Sequence, residues 1–184
     1  MSARHSIGAL VLLGALAVSA AAQTPATPAQ PATPAPAFDV QVITTPAVHA
    51  VMLPMKGSYL QHQAAFERLG AFLSGRGVNP TGPIFGRYFS DPSVGEANLV
   101  WEVGIPVPAG TTAEAPFEVK DIPATLVAVH THQGALEELG TAWGSMIQWV
   151  MTNGYQPVGP ATQVYKGDMA AGPLQVEMQF AVQK

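Results

Sequence analysis

Residues 46–88 read PAVHAVMLPMKGSYLQHQAAFERLGAFLSGRGVNPTGPIFGRY, and residues 123–165 repeat their pattern at an offset of 77 positions. The match falls on the glycines and prolines that shape turns and on the apolar residues between them. The matched pairs are Pro46 with Pro123, Gly57 with Gly134, Gly77 with Gly154, Phe66 with Trp143, and Tyr88 with Tyr165. A duplicated unit usually packs about a pseudo-two-fold axis, so we expect a ligand to bind in the cleft between the copies.

Each copy predicts the same order of elements, which is strand, strand, helix, strand, strand. The predicted strands are 38–44, 48–53, 84–89, 99–107, 117–122, 125–132, 162–166 and 174–182, and the predicted helices are 61–74 and 136–152. We therefore predict an α+β fold in which two pseudo-symmetric strand-helix-strand-strand repeats, 38–107 and 117–184, form a curved, mainly antiparallel sheet. Both helices should cover one face of that sheet.

Strand alternation divides the residues of the last strand of each repeat between the two sheet faces. Trp101 falls on the apolar face, under the predicted helix. Glu102 and Glu177 fall on the opposite face, close to the axis between the repeats. A carboxylate in a cleft of low dielectric attracts a cation more strongly than one in water, so both are candidate ligand-binding residues. The alternative is that the two glutamates are solvated on an open sheet face.

Tyr88 and Tyr165 occupy equivalent positions in the two copies. Each offers a hydroxyl and an aromatic face, and such a face suits an organic cation. The alternative is that both rings pack in the core. His130 and His132 share one strand face, but zinc needs at least one more ligand at a suitable spacing. We therefore predict no metal site.

The N-terminal part of the chain precedes the folded domain. Residues 1–22 have the features of a secretory signal, with Arg4, an apolar run at 7–18, and small residues that fit cleavage after Ala22. The alternative is an uncleaved anchor. Residues 23–37 contain only Pro, Ala, Thr and Gln, which predicts a disordered linker. We expect one domain, 38–184, in a periplasmic or secreted protein.

Composition excludes several classes of partner. The chain carries a net charge of −4 and has no basic stripe, which argues against nucleic acid. It has no cysteine, so neither a disulfide nor a lipoprotein anchor is expected. It also has no glycine-rich phosphate loop. We predict no cofactor, and no stable insertion into a membrane once the signal has been cleaved.

Several ordered segments together carry a resemblance to a known family. In the first repeat they are GSYLQHQAAFERLGAFL (57–73), GPIFGRYFSDP (82–92) and LVWEVGIPV (99–107), and in the second repeat they are residues 129–160 and LQVEMQFAV (174–182). With them, 38–184 resembles the GyrI-like small-molecule-binding domain, also called the AraC-type effector-binding domain. The resemblance implies a ligand cleft where the two modules meet. It also implies hydrophobic, often cationic, aromatic ligands held by a glutamate and tyrosines.

The resemblance carries over residue by residue. Glu177 matches the acidic position of the last strand, and Tyr165 matches the tyrosine after the Gly-Pro turn. Gln163 stands where the family commonly has glutamate, which weakens both a preference for cations and acid–base catalysis through that residue. The predicted ligand-binding residues are Glu177, Glu102, Tyr88, Tyr165 and Gln163.

The leading hypothesis is an exported module that captures small hydrophobic or aromatic molecules, cations among them, in the cleft between the repeats. One alternative is a hydrolase of a reactive small molecule on the same fold, using Glu177 and a tyrosine. A further alternative is a binder of haem or another tetrapyrrole, with His130 or His132 as the axial ligand.

Overall fold

The computed structural model describes residues 38–167 and 175–184 and confirms the α+β fold. The predicted leader (1–22) and linker (23–37) lie outside these residues. Within them, the strands are β1 Gln41–Thr45, β2 Val48–Lys56, β3 Phe85–Tyr88, β4 Val100–Pro106, β5 Glu118–Ile122, β6 Thr125–Gln133, β7 Gln156–Lys166 and β8 Gln175–Gln183. The helices are α1 His62–Gly75 and α2 Leu139–Thr152. None of the helices in this part of the chain is long and apolar enough to cross a bilayer.

The strands form one antiparallel sheet in the order β1-β6-β8-β7-β3-β4-β2-β5. The central pair, β3 and β7, joins the two repeats, with Phe85 opposite Val164 and Arg87 opposite Thr162. Only two residues link β1 to β2, and only two link β5 to β6, although these strands lie toward opposite ends of the sheet. These short links, each starting with a proline, draw the ends together, and the sheet curls into a half-barrel.

Both helices pack on the same face of the sheet, through the residues that the 3.6-residue period selects. Leu69 and Leu73 of α1 are buried against Trp101 in β4. Met146 and Val150 of α2 are buried in a second cluster, against strands of the second repeat. Trp101 is a core residue, as strand alternation predicted, and its indole nitrogen donates to the backbone oxygen of Gly57 at 2.9 Å.

A smaller apolar cluster lies on the face opposite the helices, where Ala50, Met52 and Phe85 are buried. Gly104 makes this packing possible, because a Cβ there would lie 2.6 Å from the sulfur of Met52 and would also overlap the Phe85 ring. The sheet therefore has two distinct faces, one under the helices and one inside the curl.

Several element boundaries differ from the prediction. β7 begins at Gln156 rather than at 162, because the chain pairs with β8 on both sides of an irregularity between Pro157 and Ala161. The glycine and prolines in this segment favour a loop, but tertiary pairing overrides that preference. α2 begins at Leu139 rather than at 136, since residues 136–138 form a 3₁₀ turn.

Candidate ligand-binding site

A cleft of about 1220 Å³ lies between α1 and α2, with β3 and β7 forming its floor. Ligand pockets commonly measure roughly 300–1,000 Å³, so this cleft is large enough for a bulky molecule. Its aromatic lining consists of Tyr59, Phe66, Tyr88, Phe89, Trp143, Tyr165 and Phe180. The cleft therefore presents mainly aromatic surface.

The two helices contribute differently to the cleft. The α1 wall is formed by side chains, with His62, Gln63, Phe66 and Glu67 at the lining positions. The α2 wall has glycines at 140 and 144, one turn apart on the face that lines the cleft. A Cβ added at either glycine would meet nothing within 4 Å. The missing side chains of α2 therefore leave room for a ligand.

A hydrogen-bonded cluster on the floor joins the two repeats. Tyr88 in β3 and Tyr165 in β7 both donate their hydroxyl protons to Gln163 Oε1, over 2.9 Å and 2.7 Å respectively. The two hydroxyl oxygens lie 3.2 Å apart. Gly86 allows this arrangement, because a Cβ there would lie 2.7 Å from the Tyr88 hydroxyl. Three of the predicted site residues therefore do come together.

His62, which the sequence reading did not select, completes this cluster. Its Nε2 lies 3.0 Å from the Tyr88 hydroxyl, within hydrogen-bond distance. Its ring also packs against Trp101, with the centroids 4.4 Å apart. Burial lowers the pKa of His62, although a hydrogen bond with the backbone of Tyr59 opposes the shift. We therefore expect a neutral imidazole at neutral pH.

The floor of the cleft is electrically neutral, and its carboxylates lie at the rim. Burial raises the pKa of Tyr88, with further contributions from Tyr165 and Tyr59, and burial also raises the pKa of Tyr165. Both hydroxyls therefore stay protonated at neutral pH. Glu67 and Asp91 line the cleft but are exposed to solvent. A ligand would meet negative charge at the entrance and neutral hydrogen-bonding groups at the bottom.

The predicted glutamates lie on the opposite face of the sheet, as strand alternation indicated. Glu102 is 2 % exposed and pairs with Arg87 at 2.7 Å and with Lys120 at 2.6 Å. Glu177 pairs with Lys166 and accepts from Gln179 Nε2 at 2.7 Å. Neither glutamate lines the cleft.

The five predicted residues therefore do not form one site. In the β7–β8 pair, Glu177 lies opposite Val164, and Gln163 and Tyr165, the neighbours of Val164 in β7, point to the other face. The catalytic pairing of Glu177 with a tyrosine, which the hydrolase alternative requires, is consequently not formed. Whether any of the five binds a ligand stays a prediction.

The two histidines of the tetrapyrrole alternative are held by backbone oxygens. His130 Nδ1 donates to Asp39 O at 2.7 Å, and its ring stacks on Phe38. His132 Nε2 donates to Ala135 O at 3.2 Å. Neither lines the cleft. Residues 38–167 and 175–184 contain no group of three or more potential metal ligands of the His, Cys, Asp and Glu types.

The repeat itself contains the signal that would have identified His62. An offset of 77 relates the four α1 positions that line the cleft to four of the five α2 positions that do so, the fifth being Ile147. The pairs are His62 with Leu139, Gln63 with Gly140, Phe66 with Trp143, and Glu67 with Gly144. Selecting the same helix face in both copies would have found these eight positions.

The two-repeat architecture and the cleft between the helices define a domain built to bind small molecules. The sequence matches the GyrI-like small molecule binding domain over residues 38–183, and the chain belongs to that family. A search among curated proteins found no match.

Known structures share the fold at low sequence identity. The C-terminal domain of EcmrR superposes with a TM-score of 0.71 at 20 % identity, covering 80 % of this chain and 99 % of that domain. The structure of EcmrR in complex with DNA is also similar, and the match to this chain covers only 57 % of the EcmrR chain there. A hydrolase from Listeria innocua gives a TM-score of 0.61 at 14 % identity, over 79 % and 92 % of the two chains. SAV2435 bound to tetraphenylphosphonium superposes with a TM-score of 0.53 at 13 % identity, covering 79 % of this chain and 94 % of that chain.

Proposed function

We propose that this domain captures bulky aromatic small molecules, neutral or singly positive, in the cleft between α1 and α2. The observation that carries this proposal is the cleft itself, which combines an aromatic lining with a hydrogen-bonding floor. A ligand that fills it exchanges water for aromatic contacts, each contributing about 0.5–1.5 kcal/mol beyond the burial of area. The family membership supports small-molecule binding in general.

The charge distribution of the cleft shapes the proposed ligand class. A cation is attracted by Glu67 and Asp91 at the rim and by the faces of the aromatic rings. Because the buried floor is neutral, a positive charge is tolerated rather than required. Tetraphenylphosphonium, which is bound by SAV2435, has the size and aromatic character that this cleft suits, and it is therefore a rational first probe.

The test compares tetraphenylphosphonium with triphenylphosphine oxide, which is similarly bulky but neutral and carries a hydrogen-bond acceptor. Both are titrated into the full 184-residue chain by calorimetry and by thermal unfolding. We expect both to bind. At 100 times its dissociation constant, each should stabilise the protein by about 2.7 kcal/mol. No heat and no change in unfolding temperature with either compound would contradict the proposal.

We further propose that the domain works outside the cytoplasm, as a periplasmic or secreted protein. The support is the sequence of residues 1–22, which has the order of regions that a cleavable signal needs, followed by the Pro/Ala/Thr-rich linker 23–37. The expected result is that protein recovered from the extracytoplasmic fraction begins at Gln23, as measured by intact mass. Recovery of the chain only in the cytoplasm would contradict this.

A further inference from the structure

A second cavity, which we call the lumen, lies on the opposite face of the sheet, inside the half-barrel. Its volume is about 470 Å³, within the range of small-molecule pockets. Its large apolar side chains come from several strands: Ile43, Val48, Phe85, Ile122, Val127 and Val164. Residues from both ends of the sheet contribute to it, so the curl of the sheet forms the lumen. No residue lines both the lumen and the cleft.

Glu177 is the carboxylate on the wall of the lumen. Its side chain is 15 % exposed, and Gln179 holds one of its oxygens with a hydrogen bond of 2.7 Å. Its charge partner, Lys166, also lines the lumen and is 46 % exposed. The carboxylate is therefore the fixed member of this pair, and the lysine is the member that solvent reaches.

Glu102, the equivalent residue in the first repeat, is closed to a ligand. Arg87 and Lys120 occupy its two oxygens at 2.7 Å and 2.6 Å, and its side chain is 3 % exposed. Burial opposes a positive charge on Lys120, but the hydrogen bonds and charges of Glu102 and Glu118 together outweigh it and raise the pKa of Lys120. Arg87 lines the lumen, but its guanidinium is committed to Glu102. Of these two glutamates, Glu177 is thus the one that a molecule in the lumen can reach.

We propose that the lumen is a second binding site, specific for small apolar amines. The ligand ammonium replaces Lys166 at Glu177, and the apolar body lies against Val164 and its aliphatic neighbours. Lys166 is released to water at little cost, because half-exposed lysine ion pairs contribute little to stability. The replacement leaves Glu177 paired, and the ligand gains the burial of its apolar surface.

The test uses three probes with one apolar body, namely octylammonium, octan-1-ol and octanoate. Each is titrated into the full chain by calorimetry, and the methyl NMR signals of Ile43, Val127 and Val164 report the location. We expect octylammonium to bind more tightly than octanol, by up to about fivefold, and octanoate to bind most weakly. The signals of the lumen methyls should shift, while the indole signal of Trp143 in the cleft should not.

Two variants test the role of the charges. Glu177→Gln should remove this preference, reducing octylammonium affinity by up to about fivefold and leaving octanol unchanged. Lys166→Met should tighten octylammonium binding, by at most about fivefold, because it removes the internal competitor. Glu67→Gln removes the same charge from the rim of the cleft and is the matched control, which should change nothing in the lumen. Binding of tetraphenylphosphonium to the cleft reports that each lumen variant is folded.

Several outcomes would overturn the proposal. They are no binding of octylammonium, shifts confined to Trp143, tighter binding of octanoate, or weaker binding of octylammonium to Lys166→Met. If tetraphenylphosphonium also fails to bind, the proposed function of the cleft fails separately, since the two cavities share no lining residue.

Discussion

Equivalent positions of the two repeats line both faces of the sheet, but the two faces differ in where their charges lie. In the cleft, the offset of 77 relates four lining positions of α1 to four of α2, and Tyr88 meets Tyr165 on a neutral floor. In the lumen, the same offset pairs Arg87 with Val164, so the two halves carry different charges. The comparison shows that one duplicated backbone can hold a cleft with a neutral floor on one face of the sheet and a cavity with a charged wall on the other.

The largest effect should come from filling the space that α2 leaves in the cleft. Gly144→Leu places a side chain where an added Cβ meets nothing, so the helix should accept it and gain about 0.5–1 kcal/mol in propensity. The same side chain should occupy the ligand's volume. We expect tetraphenylphosphonium affinity to fall at least about a hundredfold, which is about 2.8 kcal/mol. Calorimetry measures the affinity, and urea unfolding measures the stability.

The control for this substitution is Thr141→Leu, which adds the same side chain to α2 at an exposed position outside the cleft. Its affinity for tetraphenylphosphonium should match that of the unmodified chain. Octylammonium binding in the lumen should be the same in both variants. A Gly144→Leu protein that still binds tetraphenylphosphonium would show that the ligand site is elsewhere.

A smaller effect should distinguish the two glutamates. Glu102→Gln leaves Arg87 and Lys120 without their shared negative charge in a buried setting. Removing one partner of a fully buried pair costs roughly 3–5 kcal/mol, but Lys120 is partly exposed and can turn to water, so we expect about 2 kcal/mol. Glu177→Gln should cost less than about 1 kcal/mol, because its lysine is half exposed.

Urea unfolding of the two variants measures this difference directly, since both exchange the same carboxylate for the same amide. Equal losses of stability would mean that the two repeats hold their glutamates equally well. That result would also weaken the argument that Lys166 can be displaced from Glu177.

The fold could be predicted because each repeat carries local signals that agree with each other. Helical spacing of Leu69 and Leu73, strand alternation around Trp101, and the prolines between strands all led to the observed elements. Because the second repeat has the same sequence pattern as the first, the elements of the first repeat predict those of the second. The predicted boundary was wrong at the start of β7. This boundary depends on pairing with β8, which the local sequence does not encode.

The site could be predicted only in part. Tyr88, Gln163 and Tyr165 meet in the cleft, but the glutamates do not join them. Alternation within one strand divides its residues between the two faces of the sheet. It does not show which residues of the neighbouring strand lie on the same face. That requires the register, which places Glu177 opposite Val164 and Glu102 opposite Arg87. The lumen depends on the curl of the whole sheet, which no segment specifies alone.

The smallest expected effect is a pH dependence that belongs to the cleft and not to the lumen. Burial lowers the pKa of His62 in the folded protein below its value of about 6.5 in the unfolded chain. As pH falls through 6.5, the unfolded state takes up a proton that the folded state does not. Stability associated with His62 is therefore complete above pH 6.5 and is lost below it, with a slope of at most about 1.4 kcal/mol per pH unit.

Urea unfolding between pH 7.5 and 5 should consequently show a shallower decline for His62→Gln than for the unmodified chain. Tyr59, Tyr88 and Tyr165 lie near the imidazole and stay protonated throughout, and Asp91 stays ionised because hydrogen bonds with Ser93 lower its pKa. Among these groups, His62 is thus the one whose charge changes in this range. Since its protonation adds positive charge to the cleft, tetraphenylphosphonium binding should weaken over the same interval, whereas octanol binding in the lumen should not. Parallel pH profiles of unfolding for His62→Gln and the unmodified chain would show that His62 is not buried as the structure places it.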